Sequence, residues 1–75
     1  MEFQESFGIR IAARRKEFHL TQQQLGDLVG LSKQAINDIE HGRRSTVVVK
    51  ALAIAAVLNT TVEYIAGVTD NPDYV

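Results

Sequence analysis

Four residues near the middle of the chain, Lys33, Gln34, Asn37 and Asp38, bring together an ammonium, two amides and a carboxylate. On a helix advancing about 100° per residue they fall, with His41, inside an arc of roughly 140°. Ala35, Ile36 and Ile39 fill the opposite arc. One side is therefore made to dock, and the other offers hydrogen-bond donors and acceptors to something outside. That chemistry is recognition, not bond making. His19 and His41 stand on different elements, and neither a carboxylate dyad, a nucleophile–base pair nor a phosphate-cradling glycine loop is evident. Two separated histidines do not make a metal site. The expectation is a non-enzyme that needs neither metal nor cofactor.

The elements that position this face read as helices throughout. Phe7, Ile11 and Phe18 recur at helical intervals and predict a first helix over about 6–18. Thr21 and Gln24 form a capping box for a second helix, with Leu25, Leu28 and Val29 expected inward. Gly30 supplies an easy positive φ for a sharp turn, and Ser32 is an N-cap for the helix carrying the polar face. That helix is expected to run to about His41 and stop at Gly42. The segment "STVVVKALAIAAVL" predicts a fourth helix capped by Ser45 or Thr46, with a broad apolar face from Val48 to Leu58. Its three valines also suit a strand, but the alanine-rich continuation and the lack of a partner strand favour a helix. Thr60 and Glu63 read as a capping box for a short fifth helix carrying Val62, Tyr64 and Ile65. The expected fold is all-α: a compact bundle of about five short helices containing a helix-turn-helix.

Seventy-five residues without a linker or repeat make one domain over 1–75, with an arm at 1–5 and a tail at 68–75. The absence of cysteine within them excludes disulfides and thiolate metal sites. No apolar run approaches the length that spans a bilayer, and "MEFQESFG" lacks a signal-peptide pattern, so a cytoplasmic protein without membrane contact is expected. The formal charge of −1 hides a division along the chain. All eight basic residues lie between Arg10 and Lys50, where only four acidic ones oppose them, leaving +4. A polyanion meets that local surface within a Debye length, not the overall charge.

The stretch "LTQQQLGDLVGLSKQAINDIEHG" resembles the helix-turn-helix domains of phage-type repressors, the Xre-like or Cro/repressor family. Leu25, Val29, Leu31, Ile36 and Ile39 match its apolar positions and Gly30 its turn glycine. "IEHGRR" and "VLNTTVEYIAG" are similar to the segments that follow, so the likeness covers about residues 7–67. Three positions depart from the pattern: His19 where a glycine is common, Gly26 for an alanine, and Thr46 for a proline.

The resemblance implies sequence-specific binding of double-stranded DNA, which gives the polar face a purpose. The major groove admits a helix and shows each base pair as a distinct donor and acceptor pattern. Gln34 and Asn37 have the two-sided amides that suit adenine, Lys33 can donate to guanine or phosphate, and Asp38 can accept from cytosine. By resemblance, base reading falls to the start of this helix, at Lys33, Gln34 and Asn37. Gln22 matches a position that holds the DNA backbone, and Arg43 and Arg44 follow the recognition helix toward flanking phosphates. Ser45 and Thr46 either add hydroxyls to that contact or simply cap the next helix. Arg10, Arg14 and Lys16 are expected to add longer-range attraction. Arg15 aligns with an arginine that pairs with a glutamate at Glu40, a structural ion pair between first and third helices.

A domain this small makes few base contacts, so a homodimer is expected at least on DNA, on a palindrome with half-sites about one helical turn apart. Val62, Tyr64, Ile65, Val68, Tyr74 and Val75 form an apolar end that serves either pairing or the monomer core. The expected function is a transcriptional regulator, of repressor type, occupying an operator. The alternative is an antitoxin or adaptor that masks a protein partner; a toxin-wrapping tail would mark it, and eight residues follow Gly67.

Overall fold

The computed structural model describes residues 3–71, with side chains from Ser6 onward. Five helices follow in order: α1 Phe3–Glu17, α2 Gln22–Val29, α3 Lys33–Glu40, α4 Val48–Val57 and α5 Val62–Ile65. The described residues contain no strand, and the fold is all-α. None of these helices is long and apolar enough to cross a membrane.

Local chemistry accounts for the α2–turn–α3 unit. The Thr21 hydroxyl accepts the Gln24 N–H at 3.0 Å while Gln24 Oε1 accepts the Thr21 N–H at 2.8 Å, closing both orphan donors at the start of α2. At its far end Gly30 takes φ 74°, and the Leu31 N–H returns to the Gly26 carbonyl at 2.8 Å. Gly26 sits so close to this return that a Cβ there would overlap the Leu31 carbonyl. The glycine inside α2 thus gives up some helix propensity to let the chain double back tightly. Lys50, reaching over from α4, donates to the Val29 carbonyl at 2.8 Å and satisfies another open end of α2. Ser32 then starts α3 by accepting the Ala35 N–H at 3.0 Å.

Tertiary packing fixes α3 from behind. Leu25 and Val29 of α2, Ile36 and Ile39 of α3, Phe7 and Ile11 of α1, Ile54 and Leu58 of α4, and Ile65 of α5 form one buried cluster. α1 passes α3 at Gly8, where an added Cβ would overlap the carbonyls of Ile39 and Glu40. Only a residue without a side chain permits that approach.

Several sequence expectations fail at the edges of these elements. Phe18 is 39% exposed because α1 ends at Glu17 and His19 takes φ 58°, which carries the chain out of helical register; its ring lies under the Arg14 guanidinium. Leu28 is 60% exposed: the buried side of α2 is the i, i+4 pair Leu25 and Val29, with Gly26 between. In α4 only Ala51, Ile54 and Ala55 are buried, a stripe that Leu58 at the C-cap continues at i, i+3, i+4, i+7, so Val48, Val49 and Leu52 face outward. Its N-cap is Val47, with no side-chain bond, and neither Ser45 nor Thr46. The cap of α5 is Thr61, whose hydroxyl accepts the Tyr64 N–H at 3.1 Å; one residue earlier Thr60 is fully buried instead.

Candidate functional site

α3 presents the polar face outward. Lys33 and Gln34 are exposed in its first turn, Asn37 and Asp38 are half-buried one turn later, and Ala35, Ile36 and Ile39 are sealed behind them. The four polar side chains expected to act together do share one side of the helix. Three of them, Gln34, Asn37 and Asp38, are also bonded to one another or to their surroundings. Gln34 Nε2 donates to Asp38 Oδ1 at 2.9 Å. Arg43, just past α3, donates from Nε to Asp38 Oδ1 at 3.1 Å and from Nη2 to Asn37 Oδ1 at 2.5 Å. The Asp38 carboxyl is held below the usual carboxylate range, first by the Gln34 hydrogen bond, against a desolvation cost, and then by the bond and charge of Arg43 and the charge of Arg44. His41 stands exposed at the end of the helix, with Nδ1 2.8 Å from the Asn37 carbonyl.

Behind this face lies a charged seam. Arg15 donates from Nε to Glu40 Oε2 at 2.6 Å and from Nη2 to Glu40 Oε1 at 3.1 Å, with its third bond on the Leu20 carbonyl at 2.7 Å. The Glu40 side chain is 3% exposed. This two-pronged pair joins α1 to α3, and no buried side-chain nitrogen or oxygen among the described residues lacks a hydrogen-bond partner. Gln22, in the first turn of α2, donates to Glu40 Oε1 at 3.0 Å and accepts from Asn37 Nδ2 at 3.3 Å. Gln22 therefore sits between the seam and the outer face.

The remaining cations divide into two kinds. Arg43 and Arg44 are exposed beside α3, with Ser45 exposed and Thr46 half-buried after them. Of Arg10, Arg14 and Lys16, all expected to add longer-range attraction, Lys16 is exposed while Arg10 and Arg14 are engaged within the fold. Arg10 donates to the Tyr64 and Thr69 carbonyls at 2.9 and 3.0 Å, pairs with Asp70 at 2.9 Å, and lies 4.6 Å from the centroid of the Tyr64 ring. Arg14 donates to the Leu58 and Asn59 carbonyls at 2.9 and 3.1 Å, closing the end of α4. Sequence reasoning missed these ties and that of Lys50. The i, i+4 spacing of Arg10 and Arg14 on one face of α1 is the signal that was present.

The apolar end is only partly available to a partner. Ile65 is 1% exposed and belongs to the core, so it offers nothing to a second chain. Val62 packs against that core and Tyr64 is half-buried under Arg10, while Val68 is 78% exposed. Tyr74 and Val75 lie outside the described residues. An apolar cleft of about 260 Å³ opens between Phe7, Val48, Ala51 and Val62, with Arg44 and Thr46 at its rim. No cluster of potential metal ligands occurs among the described residues.

Comparison with known proteins gives four findings. A family model described as helix-turn-helix matches residues 11–65. A Bacillus subtilis (strain 168) protein, the uncharacterized HTH-type transcriptional regulator YobD, is 31% identical over 64 residues. That alignment covers 85% of this chain but only 57% of the relative's length. Among solved structures, the P22 c2 repressor in complex with synthetic operator 9T superposes with a TM-score of 0.77 at 34% identity, over 79% of this chain and 89% of that one. The restriction-modification controller protein C.AhdI from Aeromonas hydrophila gives the same TM-score at 27% identity, over 83% and 94% of the two chains.

Proposed function

The chain belongs to the helix-turn-helix family, and from that premise we propose that it is a sequence-specific, double-stranded DNA-binding transcriptional regulator of repressor type. Its target is a palindromic operator, occupied by a homodimer that lays one α3 in the major groove of each half-site. The observation that carries this reading is the outward face of α3, where Lys33, Gln34, Asn37 and Asp38 are ranged beside Arg43 and Arg44. The same architecture is seen in the P22 c2 repressor, which was solved on an operator.

The roles follow from reach and chemistry. Lys33 and Gln34, exposed in the first turn, meet base edges; Asn37 and Asp38 follow one turn behind. Arg43, Arg44 and the hydroxyls of Ser45 and Thr46 hold phosphates, and the start of α2 at Gln22 adds a backbone contact. Counterions released from those phosphates supply most of the affinity, and the bases supply the discrimination. Pairing two copies doubles the base contacts, which a single short helix needs for useful specificity. The pairing surface draws on Val62, Tyr64 and Val68. The protein acts by occupancy, without chemistry of its own.

Selection from random duplexes, followed by titration of the winning sequence at two salt concentrations, tests this directly. A palindromic winner bound two chains at a time, with affinity falling steeply as salt rises, is the expected result. Flat, salt-insensitive binding with no enriched sequence would sink it, and would point to an adaptor that masks a protein partner.

A further inference from the structure

The hydrogen bonds behind the α3 face have a direction, and charges at both ends impose it. An ionised carboxylate can only accept, so Gln22 must turn its NH2 toward Glu40, as the 3.0 Å bond from Nε2 records. The Gln22 oxygen then faces Asn37 and takes Nδ2 at 3.3 Å. That leaves Asn37 Oδ1 on the far side, where Arg43 Nη2 donates to it at 2.5 Å. A guanidinium can only donate, so Arg43 demands the same orientation from its end that Glu40 demands from the other. Turning either amide over would set donor against donor or oxygen against oxygen. Glu40 itself has no freedom, because Arg15 grips both of its oxygens.

We infer that Glu40 is a positioning residue for base recognition: through Gln22 it fixes which way round the Asn37 amide stands, and so which base edge Asn37 accepts. The inference rests on the proposed docking of α3 in the major groove. Gln22 uses one of the two Asn37 amide hydrogens, which leaves the other hydrogen beside Oδ1 as an adjacent donor and acceptor. Adenine offers the complement, an N6 donor next to the N7 acceptor, whereas guanine offers two acceptors there. Arg43, whose side chain is half exposed, vacates Oδ1 for a flanking phosphate when DNA arrives. A purely mechanical tie between α1 and α3 would not care which way the amides point.

The test uses the duplex obtained by selection and its single-base-pair variants, with binding measured for Asn37→Ala, Gln22→Met, Glu40→Gln and the double variant Gln22→Met/Asn37→Ala. Asn37→Ala identifies the base pair that Asn37 reads. The parent should prefer an A·T pair there by about 5- to 150-fold, the range of a bidentate contact. Gln22→Met, close in size and unable to hydrogen-bond, should cut that preference below about three-fold at the same base pair only, with the thermal midpoint of the parent. It keeps the Arg15–Glu40 pair, so it reports whatever Glu40→Gln does to folding. The double variant should discriminate no worse than Asn37→Ala alone. If Gln22→Met and a folded Glu40→Gln weakened all duplexes by one factor and left the preference standing, the positioning role would be wrong while Asn37 remained a base contact. If Asn37→Ala changed preference at no base pair while Gln34→Ala did, Asn37 would not be a base contact and the inference would fall with the docking intact. If neither changed preference, the docking itself would fail.

Discussion

α3 and the first half of α4 both face outward, and they do so by opposite means. The outer side of α3 is polar, and most of its side chains are bonded: Gln34 to Asp38, Asp38 to Arg43, Asn37 to Arg43 and Gln22. The outer side of α4 is Val48, Val49 and Leu52, all more than half exposed, entered through a valine with no capping bond. α3 is held in a defined geometry by directional contacts before any ligand arrives. α4 is held by the apolar stripe it buries and by the Lys50 and Arg14 bonds to main-chain carbonyls, but its exposed valines and leucine make none of these ties. The lesson is that placement of the polar face proposed for recognition comes from hydrogen-bond direction and charge, while hydrophobic burial supplies the platform beneath it.

Four experiments sharpen or break this contrast, in falling order of effect. Glu40→Ala should be the most damaging, costing about 3–5 kcal/mol in denaturant unfolding, because it strands the buried Arg15 guanidinium. A loss below about 1 kcal/mol would mean that the seam is not what secures α3. On the cognate duplex Gln34→Ala should cost about 1–3 kcal/mol and relax discrimination at one base pair. Arg43→Ala should weaken cognate and random DNA alike and lower the salt slope by about one. Identical profiles for these two variants would erase the division between reading and holding. Val47→Ser, which gives α4 the cap it lacks, should raise stability by about 1 kcal/mol in thermal melts, since its backbone already has the extended cap conformation. No gain would show that the α4 start is secured by something other than its own hydrogen bonds.

The smallest effect is a proton. Asp38 titrates lower in the folded chain than in the unfolded one, so its contribution is intact above the ordinary carboxylate pKa. It is lost as the pH falls through the depressed folded value, and acid should therefore loosen Gln34 and Arg43 together. Carboxyl and side-chain amide NMR shifts followed down the pH scale check this. An Asp38 that titrates in the ordinary carboxylate range would contradict it.

How much of this was legible in the sequence depended on distance along the chain. The Thr21 capping box, the Gly30 turn and the Ser32 cap involve partners within a few residues, and the sequence alone locates them. The grouping of Lys33, Gln34, Asn37 and Asp38 on one side follows from helical periodicity alone. Phe18 and Leu28 misled because burial is decided by which neighbour arrives: Phe18 gets only the Arg14 guanidinium over its ring, and Leu28 stays 60% exposed. Arg10 and Arg14 misled for a related reason, and the tie of Lys50 went unread: their partners are backbone carbonyls 21–59 residues away, which side-chain spacing does not specify. Hydrogen bonds connecting Gln22 to the face of α3 were invisible for the same cause. In the short caps, Ser45 and Thr60 were attractive residue types one or two places from where the backbone turns.

Gly8 has an effect beyond stability. Since α1 and α3 meet there through bare backbone, the tilt of α3 owes nothing to the residues at 33 and 34, whose side chains take no part in that crossing. The vocabulary at those two places can be rewritten while the frame stays put. Libraries randomised there should yield proteins with altered target preference and near-parental melting curves, like different keys cut from one blank.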